Sequence, residues 1–189
     1  MISPENLIRL TFDERETRYV AAMALGASLG GGSQIRSPEE RITALRQDQM
    51  VGQLGQMALS LYWFGDSRQY DIARWYANRN PNIGDGGSDI PGMNVDVKTS
   101  LMRSSEDPLD YRLLIRPKER HEGWIYVLAL VKKLRKVGTE VFLVGWAADY
   151  QLPKMDQGGL FDGAHVMNAR DLNPLPPVQW FLGSRSIPA

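Results

Sequence analysis

Two uniformly apolar runs of strand length constrain this chain most: Trp124–Val131 (WIYVLALV) and Glu140–Ala147 (EVFLVGWA). Successive side chains of a strand point to opposite faces, so a half-buried strand alternates apolar with polar. A run that is apolar at every position belongs to a strand covered on both faces. The segment between the two, Lys132-Lys133-Leu134-Arg135-Lys136-Val137-Gly138, is short and predicts an antiparallel pair. These strands therefore form the centre of a sheet, and the rest of the chain must cover it.

The upstream half supplies helices. Thr11-Phe12-Asp13-Glu14 reads as a capping box opening a helix to about Leu29, with Tyr19, Val20, Met23 and Ala27 among its apolar positions and Gly30-Gly31-Gly32 as its end. Ser37-Pro38-Glu39-Glu40 is a second box with proline at the first helical position. That helix runs to Trp63, is stopped by Gly65, and is weakened or bent at Gly52 and Gly55. Ser67–Asn80 predicts a third helix, with Ile72, Ala73, Trp75 and Tyr76 inward and Pro81-Asn82 closing it. Downstream, Leu101–Leu109 reads as a polar loop, and Tyr111–Ile115 and Ala164–Met167 as short strands. Pro153, Gly158-Gly159 and Pro174/Pro176/Pro177 mark a loop-rich C-terminal wrap, with Trp180-Phe181-Leu182 packing back. The order of elements predicts the α/β class: a mixed sheet with helices on its faces. At 189 residues one domain is expected, with a core over about 38–150, an N-terminal helix over 11–30 and the wrap over 151–189.

Composition narrows the chemistry. Without cysteine there are no disulfides and no cysteine zinc site, and two histidines, His121 and His165, rule out a His-rich centre. The N-terminus has no apolar signal core and no run approaches a membrane span, so a cytoplasmic protein with no membrane partner is expected. Lys+Arg and Asp+Glu balance at 22 each, against a strongly basic DNA-coating protein. The charge is uneven, however: Lys98–Gly138 holds ten Lys/Arg against five Asp/Glu, or +5, leaving −5 elsewhere. That excess suits a phosphate-binding surface, and it equally suits solvated loops.

Gly84–Ser100 (GDGGSDIPGMNVDVKTS) concentrates the reactive residue types. A glycine-rich turn carries Asp85 and Asp89, Pro91-Gly92 makes a second turn, and Val95-Asp96-Val97-Lys98-Thr99 alternates as a strand. The alternation puts Val95 and Val97 on one face and Asp96 and Lys98 on the other. Two carboxylates from different backbone segments supply hard oxygen ligands for Mg²⁺, which takes one or two carboxylates and keeps several waters. A lysine beside them can hold the water that attacks a phosphodiester and offset transition-state charge. The same letters also serve as turn residues and the solvated face of an edge strand. Upstream, Gln49, Gln53 and Gln56 share a helix face with Arg46 a turn earlier, and amides on a buried helix require partners.

This stretch resembles the active-site signature of the PD-(D/E)xK, or restriction-endonuclease-like, nucleases. Asp89 fills the position of the first Asp, Asp96 and Lys98 the acid-x-Lys triplet, and Ser88 stands where that family has proline. Gly52-Gln53-Leu54-Gly55-Gln56 is similar to the family's glycine-x-x-glycine-Glu helix, with Gln56 where an additional Glu ligand is usual. The resemblance covers about Gln49–Ala147 and implies a three-layer α/β/α sandwich around a central mixed sheet. It implies a Mg²⁺-dependent nuclease acting on DNA, as an endonuclease, with Mn²⁺ as a substitute ion. Asp89, Asp96 and the Val97 carbonyl would bind the ion, Lys98 would position or activate water, and Gln56 would support the site. The alternative is a nucleic-acid-binding protein of the same fold with weak or no catalysis. A homodimer is compatible with either, and the sequence leaves the oligomeric state open.

Overall fold

The two apolar runs form the centre of the sheet in the computed structural model, which describes residues 1–28, 38–79, 88–103, 105–132, 134, 138–154 and 163–177. They are β4 (Ile125–Lys132) and β5 (Thr139–Ala148), paired antiparallel from Ile125 opposite Ala148 to Lys132 opposite Glu140. β1 (Ile8–Phe12) joins β5 antiparallel, and β2 (Val95–Met102) joins β4 parallel. The sheet is therefore mixed and four-stranded, in the order β1-β5-β4-β2, with β2 at one edge.

Both faces are covered, as uniformly apolar strands require. Val127, Ala129 and Val131 of β4 meet the helices α1 (Glu14–Ser28), α2 (Pro38–Phe64) and α3 (Arg68–Arg79) in a core that includes Val20, Leu54, Leu59 and Tyr70. Tyr126, Leu128 and Leu130 point the other way, to a core with Leu113, Ile115 and Leu172. That face is covered by a two-stranded sheet, β3 (Arg112–Ile115) with β6 (His165–Asn168), and by short 3₁₀ turns. The molecule is thus mixed α/β, and among the described residues its α-helices lie on one face. None of the described helices is long and apolar enough to cross a membrane.

Several expectations shift. Thr11 does not cap α1; it lies in β1 opposite Glu140, and Ile8-Arg9-Leu10-Thr11-Phe12 alternates as an outer strand does. The cap belongs to Asp13, whose carboxylate accepts from Glu16 N at 2.7 Å while Glu16 accepts from Asp13 N at 2.8 Å. β2 continues through Leu101 and Met102, where a loop is expected, because Leu101 and Met102 find register partners in Val131 and Lys132. Among the described side chains of α3, Tyr70 and Ala73 are buried, whereas Ile72 is 45% exposed. Tyr19, one of the apolar positions of α1, is 39% exposed and donates its hydroxyl to Asp71. Residues 29–37, 80–87, 155–162 and 178–189 lie outside the described ones. So the expectations for Gly30-Gly31-Gly32, Ser37, Asp85 and Trp180-Phe181-Leu182 do too, as do those for the side chains of Ala27, Arg46, Trp75 and Tyr76.

α2 passes Gly52 and Gly55 unbroken. Gly55 serves packing: a Cβ there would fall 2.0 Å from Thr99 Oγ1 and 3.1 Å from the Ala129 Cβ. Its absence lets α2 lie close against β2 and β4 and brings the next residue, Gln56, to the sheet edge.

Candidate active site

The backbone of β2 decides where each site residue goes. The Asn94 carbonyl accepts from Ile125 N at 2.9 Å, so this strand's even-numbered backbone groups face β4. The odd-numbered groups face the open edge, where Asp89 meets them. Asp89 N donates to the Val95 carbonyl at 2.9 Å, and the Asp89 carboxylate accepts from Val97 N at 2.6 Å. The preceding segment thus folds back along the edge strand and satisfies backbone groups that would otherwise lack partners. The Ile90–Met93 turn makes the reversal, with Met93 N on the Ile90 carbonyl at 3.0 Å. Gly92 takes the left-handed conformation this turn needs, at φ 77°. Ile90 is fully buried in the helix-side core and pins the turn.

Side-chain alternation then places the rest. Val95 and Val97 enter the core under α2, and Asp96 and Lys98 emerge on the opposite face. Lys98 Nζ lies 2.9 Å from Asp96 Oδ2. Gln56 arrives from α2 and donates its amide to Asp89 Oδ1. One cleft of about 360 Å³ at the sheet edge is lined by Gln56, Asp89, Asp96, Val97 and Lys98, together with Lys118, Glu119 and His121. The five residues that the resemblance names, Gln56, Asp89, Asp96, Val97 and Lys98, all line this cleft, and Asp85 lies outside the described residues.

Glu119 and His121 were not anticipated. They come from the 3₁₀ turn Pro117–Glu119 and the residues after it. Glu119 Oε2 lies 3.3 Å from Lys98 Nζ, so the lysine bridges two carboxylates. The turn is held by Tyr126, which is fully buried on β4 and opposite Asp96 in register. The Tyr126 hydroxyl accepts from His121 N at 2.7 Å and donates to the Glu119 carbonyl at 3.1 Å. A Pro-x-Glu turn after a strand can be seen in the sequence, but its meeting with Lys98 follows only from the pairing of β2 with β4.

The glutamine stripe divides into three roles. Gln49 is exposed. Gln53 is buried and accepts from the Tyr70 hydroxyl at 2.8 Å, tying α2 to α3. Gln56 alone reaches the cleft. Part of the basic segment is also committed to ion pairs: Arg116 with Glu119 at 3.5 Å, Arg120 with Asp149 at 3.8 Å, and Lys132 with Glu140 at 3.9 Å. A larger cleft of about 790 Å³ is lined by Arg120, Asp149 and Tyr150, together with Pro117 of the same turn.

Burial disfavours the Lys98 ammonium, but the attraction and hydrogen bonds of Asp96, followed by those of Glu119, outweigh it and hold its pKa above the ordinary lysine value. Lys98 is therefore a cation at neutral pH, a donor and a point charge. It cannot accept a proton in that state.

The donors suit a small hard cation. Asp89 and Asp96 offer carboxylate oxygens, the hard acceptor type that a small divalent cation takes. Val97 N faces the open edge, and its carbonyl lies on the same side because the N–H and C=O of a strand residue point together. Among the described residues Gln56 Oε1 is buried without a hydrogen-bond partner, which leaves a neutral oxygen at the site wanting a cation or a proton donor. Among the described residues no group of three or more His, Cys, Asp or Glu is arranged as metal ligands. Two carboxylates could serve only an ion that needs few protein ligands and keeps its waters, as Mg²⁺ does. Among the described residues a multi-carboxylate centre is not formed.

Comparison of the chain with protein-family models, with curated proteins and with solved structures finds no match.

Proposed function

We propose that this protein is a Mg²⁺-dependent phosphodiesterase of the restriction-endonuclease-like kind that cleaves DNA internally. The supporting observation is the convergence of Gln56, Asp89, Asp96, Val97 and Lys98, drawn from a helix, a turn and a strand, in one edge cleft. In this reading the sheet and its helical face are the nuclease core, and the face carrying β3 and β6 stands where a second helical layer completes a three-layer sandwich. Asp89, Asp96 and the Val97 carbonyl would hold the ion, and Gln56 would orient Asp89 from the helix side. When bound, Mg²⁺ supplies Lewis-acid polarisation of the phosphate and a more acidic water. Lys98 donates to the attacking water and faces the charge that builds on the phosphate oxygens. The exposed side chains of the turn after β3, Lys118 among them, meet the DNA backbone beside the cleft.

The test is cleavage of supercoiled plasmid DNA with Mg²⁺ or Mn²⁺, comparing wild type with Asp96→Ala. Wild type converts the plasmid to nicked and linear forms, and the variant, folded by circular dichroism, does not. Equal activity in the two would overturn the site assignment. DNA binding without cleavage by wild type would favour the second reading, a binding protein of the same fold. Gln56 in a usual Glu position and the direct Lys98–Asp96 pair are the features that reading would explain.

A further inference from the structure

We propose that Glu119 is a positioning residue for Lys98: its carboxylate keeps the ammonium in the cleft when a divalent cation draws Asp96 away. The inference rests on the phosphodiesterase reading of the same cleft, and it adds a residue that neither the sequence motif nor its resemblance includes.

Lys98 and Asp96 lie two residues apart on one strand face and are paired at 2.9 Å. If Asp96 turns its oxygens to a divalent cation, that partner is lost. The cation also repels the ammonium at short range. A flexible four-carbon side chain with no other anchor would swing to solvent, away from the water it has to hold. Glu119 is that other anchor, with Oε2 at 3.3 Å from Nζ.

The anchor is itself fixed. Glu119 Oε2 accepts from Arg116 N at 3.3 Å, across the turn that Pro117 opens, and the Arg116 guanidinium lies 3.5 Å from the other carboxylate oxygen. The Glu119 carbonyl accepts from the buried Tyr126 hydroxyl at 3.1 Å. Tyr126 belongs to β4, so Glu119 is referenced to the sheet and not to the turn that carries Asp89. Movement of Asp89 or Asp96 on ion binding would leave Glu119 in place. A donor held in this way before the reaction keeps its geometry at no further cost. An ordinary exposed ion pair would contribute little, but Lys98 and Glu119 each keep only about a quarter of their side-chain exposure, 25% and 27%.

The experiment has two arms. In the first, the ¹H–¹⁵N resonance of the Lys98 ammonium is followed by NMR, since an ammonium held by carboxylates exchanges slowly enough with water to be seen. The resonance should persist in wild type with saturating Mg²⁺ and in Asp96→Asn. It should vanish in Glu119→Gln with Mg²⁺ and in the Asp96→Asn/Glu119→Gln double variant. In the second arm, single-turnover cleavage should fall about 10²-fold in Glu119→Gln, with the KM for DNA unchanged. The same substitution should cause no further loss on a Lys98→Ala background, because Glu119 acts through Lys98. A resonance that survives Glu119→Gln with Mg²⁺, or multiplicative losses in the cycle, would overturn the inference. If wild type neither binds Mg²⁺ nor cleaves DNA, the phosphodiesterase reading falls. The Asp96→Asn spectra with and without Glu119 still decide whether Glu119 alone holds the lysine.

Discussion

Lys98 donates to two carboxylates at once, and this determines how it should respond to removal. An ammonium near a divalent cation repels it, so Lys98→Ala removes no attraction for the ion. What it removes is a preorganised donor, a loss that typically lowers rate by about 10²–10³-fold. Lys98→Ala is therefore expected to keep or slightly improve Mg²⁺ affinity by calorimetry while turnover collapses. Lys98→Arg should rescue only partly, since a planar fork does not reproduce a point charge. Loss of metal affinity together with turnover would instead make Lys98 structural. Gln56 is expected to respond in the opposite sense. Its amide donates to Asp89 Oδ1, so Gln56→Glu sets two carboxylates against each other and adds charge beside the ion. Without metal the variant should lose roughly 1–3 kcal/mol of stability, the cost of a spoiled, partly buried hydrogen bond. With Mg²⁺ or Mn²⁺ it should regain more than wild type does. Thermal melts of both proteins across a metal titration would show this, and parallel curves would place Gln56 outside the ion's reach.

At the scale of elements, the site depends on how closely α2 approaches β2. Gly55 faces Thr99 with no room for a methyl group, and Thr99 Oγ1 also lies 3.5 Å from the Gly52 carbonyl. Alanine has the higher helix propensity, by up to about 1 kcal/mol, which alone would make Gly55→Ala stabilising. The contact at 2.0 Å reverses that expectation, because overpacking a close seam costs about 1–3 kcal/mol and displaces the elements that form it. Gly55→Ala should lower the urea midpoint without changing the m-value, and it should reduce cleavage by shifting Gln56 from Asp89. Gly52→Ala is the control, since nothing lies within 4 Å of a Cβ there. That variant should be neutral or stabilising. Equal effects at the two glycines would mean that the seam is not tight.

For the molecule as a whole, ion binding and stability should be linked. A cation that binds only the folded chain stabilises it by about 2.7 kcal/mol at a hundredfold excess over Kd. For a chain of this size that corresponds to a rise of roughly 5–10 °C in Tm. Mg²⁺ is expected to raise the wild-type melting temperature on this scale, and Asp89→Ala and Asp96→Ala to abolish the rise. An equal rise in both variants would mean that the ion binds elsewhere.

Where information is local, it could be read from the chain itself. The apolar runs of β4 and β5 declared central strands, because a face that meets no water carries no polar residue. The alternation of Val95-Asp96-Val97-Lys98 placed Asp96 and Lys98 together, because a strand has period two. Asp89 and Gln56 were nameable from their motifs. Competing local signals were harder: Thr11 and Asp13 each stand three residues before a Glu, and the pairing of β1 with β5, not the spacing, put Thr11 in a strand. Three features were decided by tertiary structure alone. The position of β2 at the sheet edge turned Val97 N toward Asp89, the Tyr126 hydroxyl set the turn that brings Glu119 to Lys98, and the missing side chain at Gly55 admitted Gln56. Each depends on strand order and packing, with β2 beside β4, the Glu119 turn beside Lys98 and α2 against Thr99, which no local pattern of residues encodes.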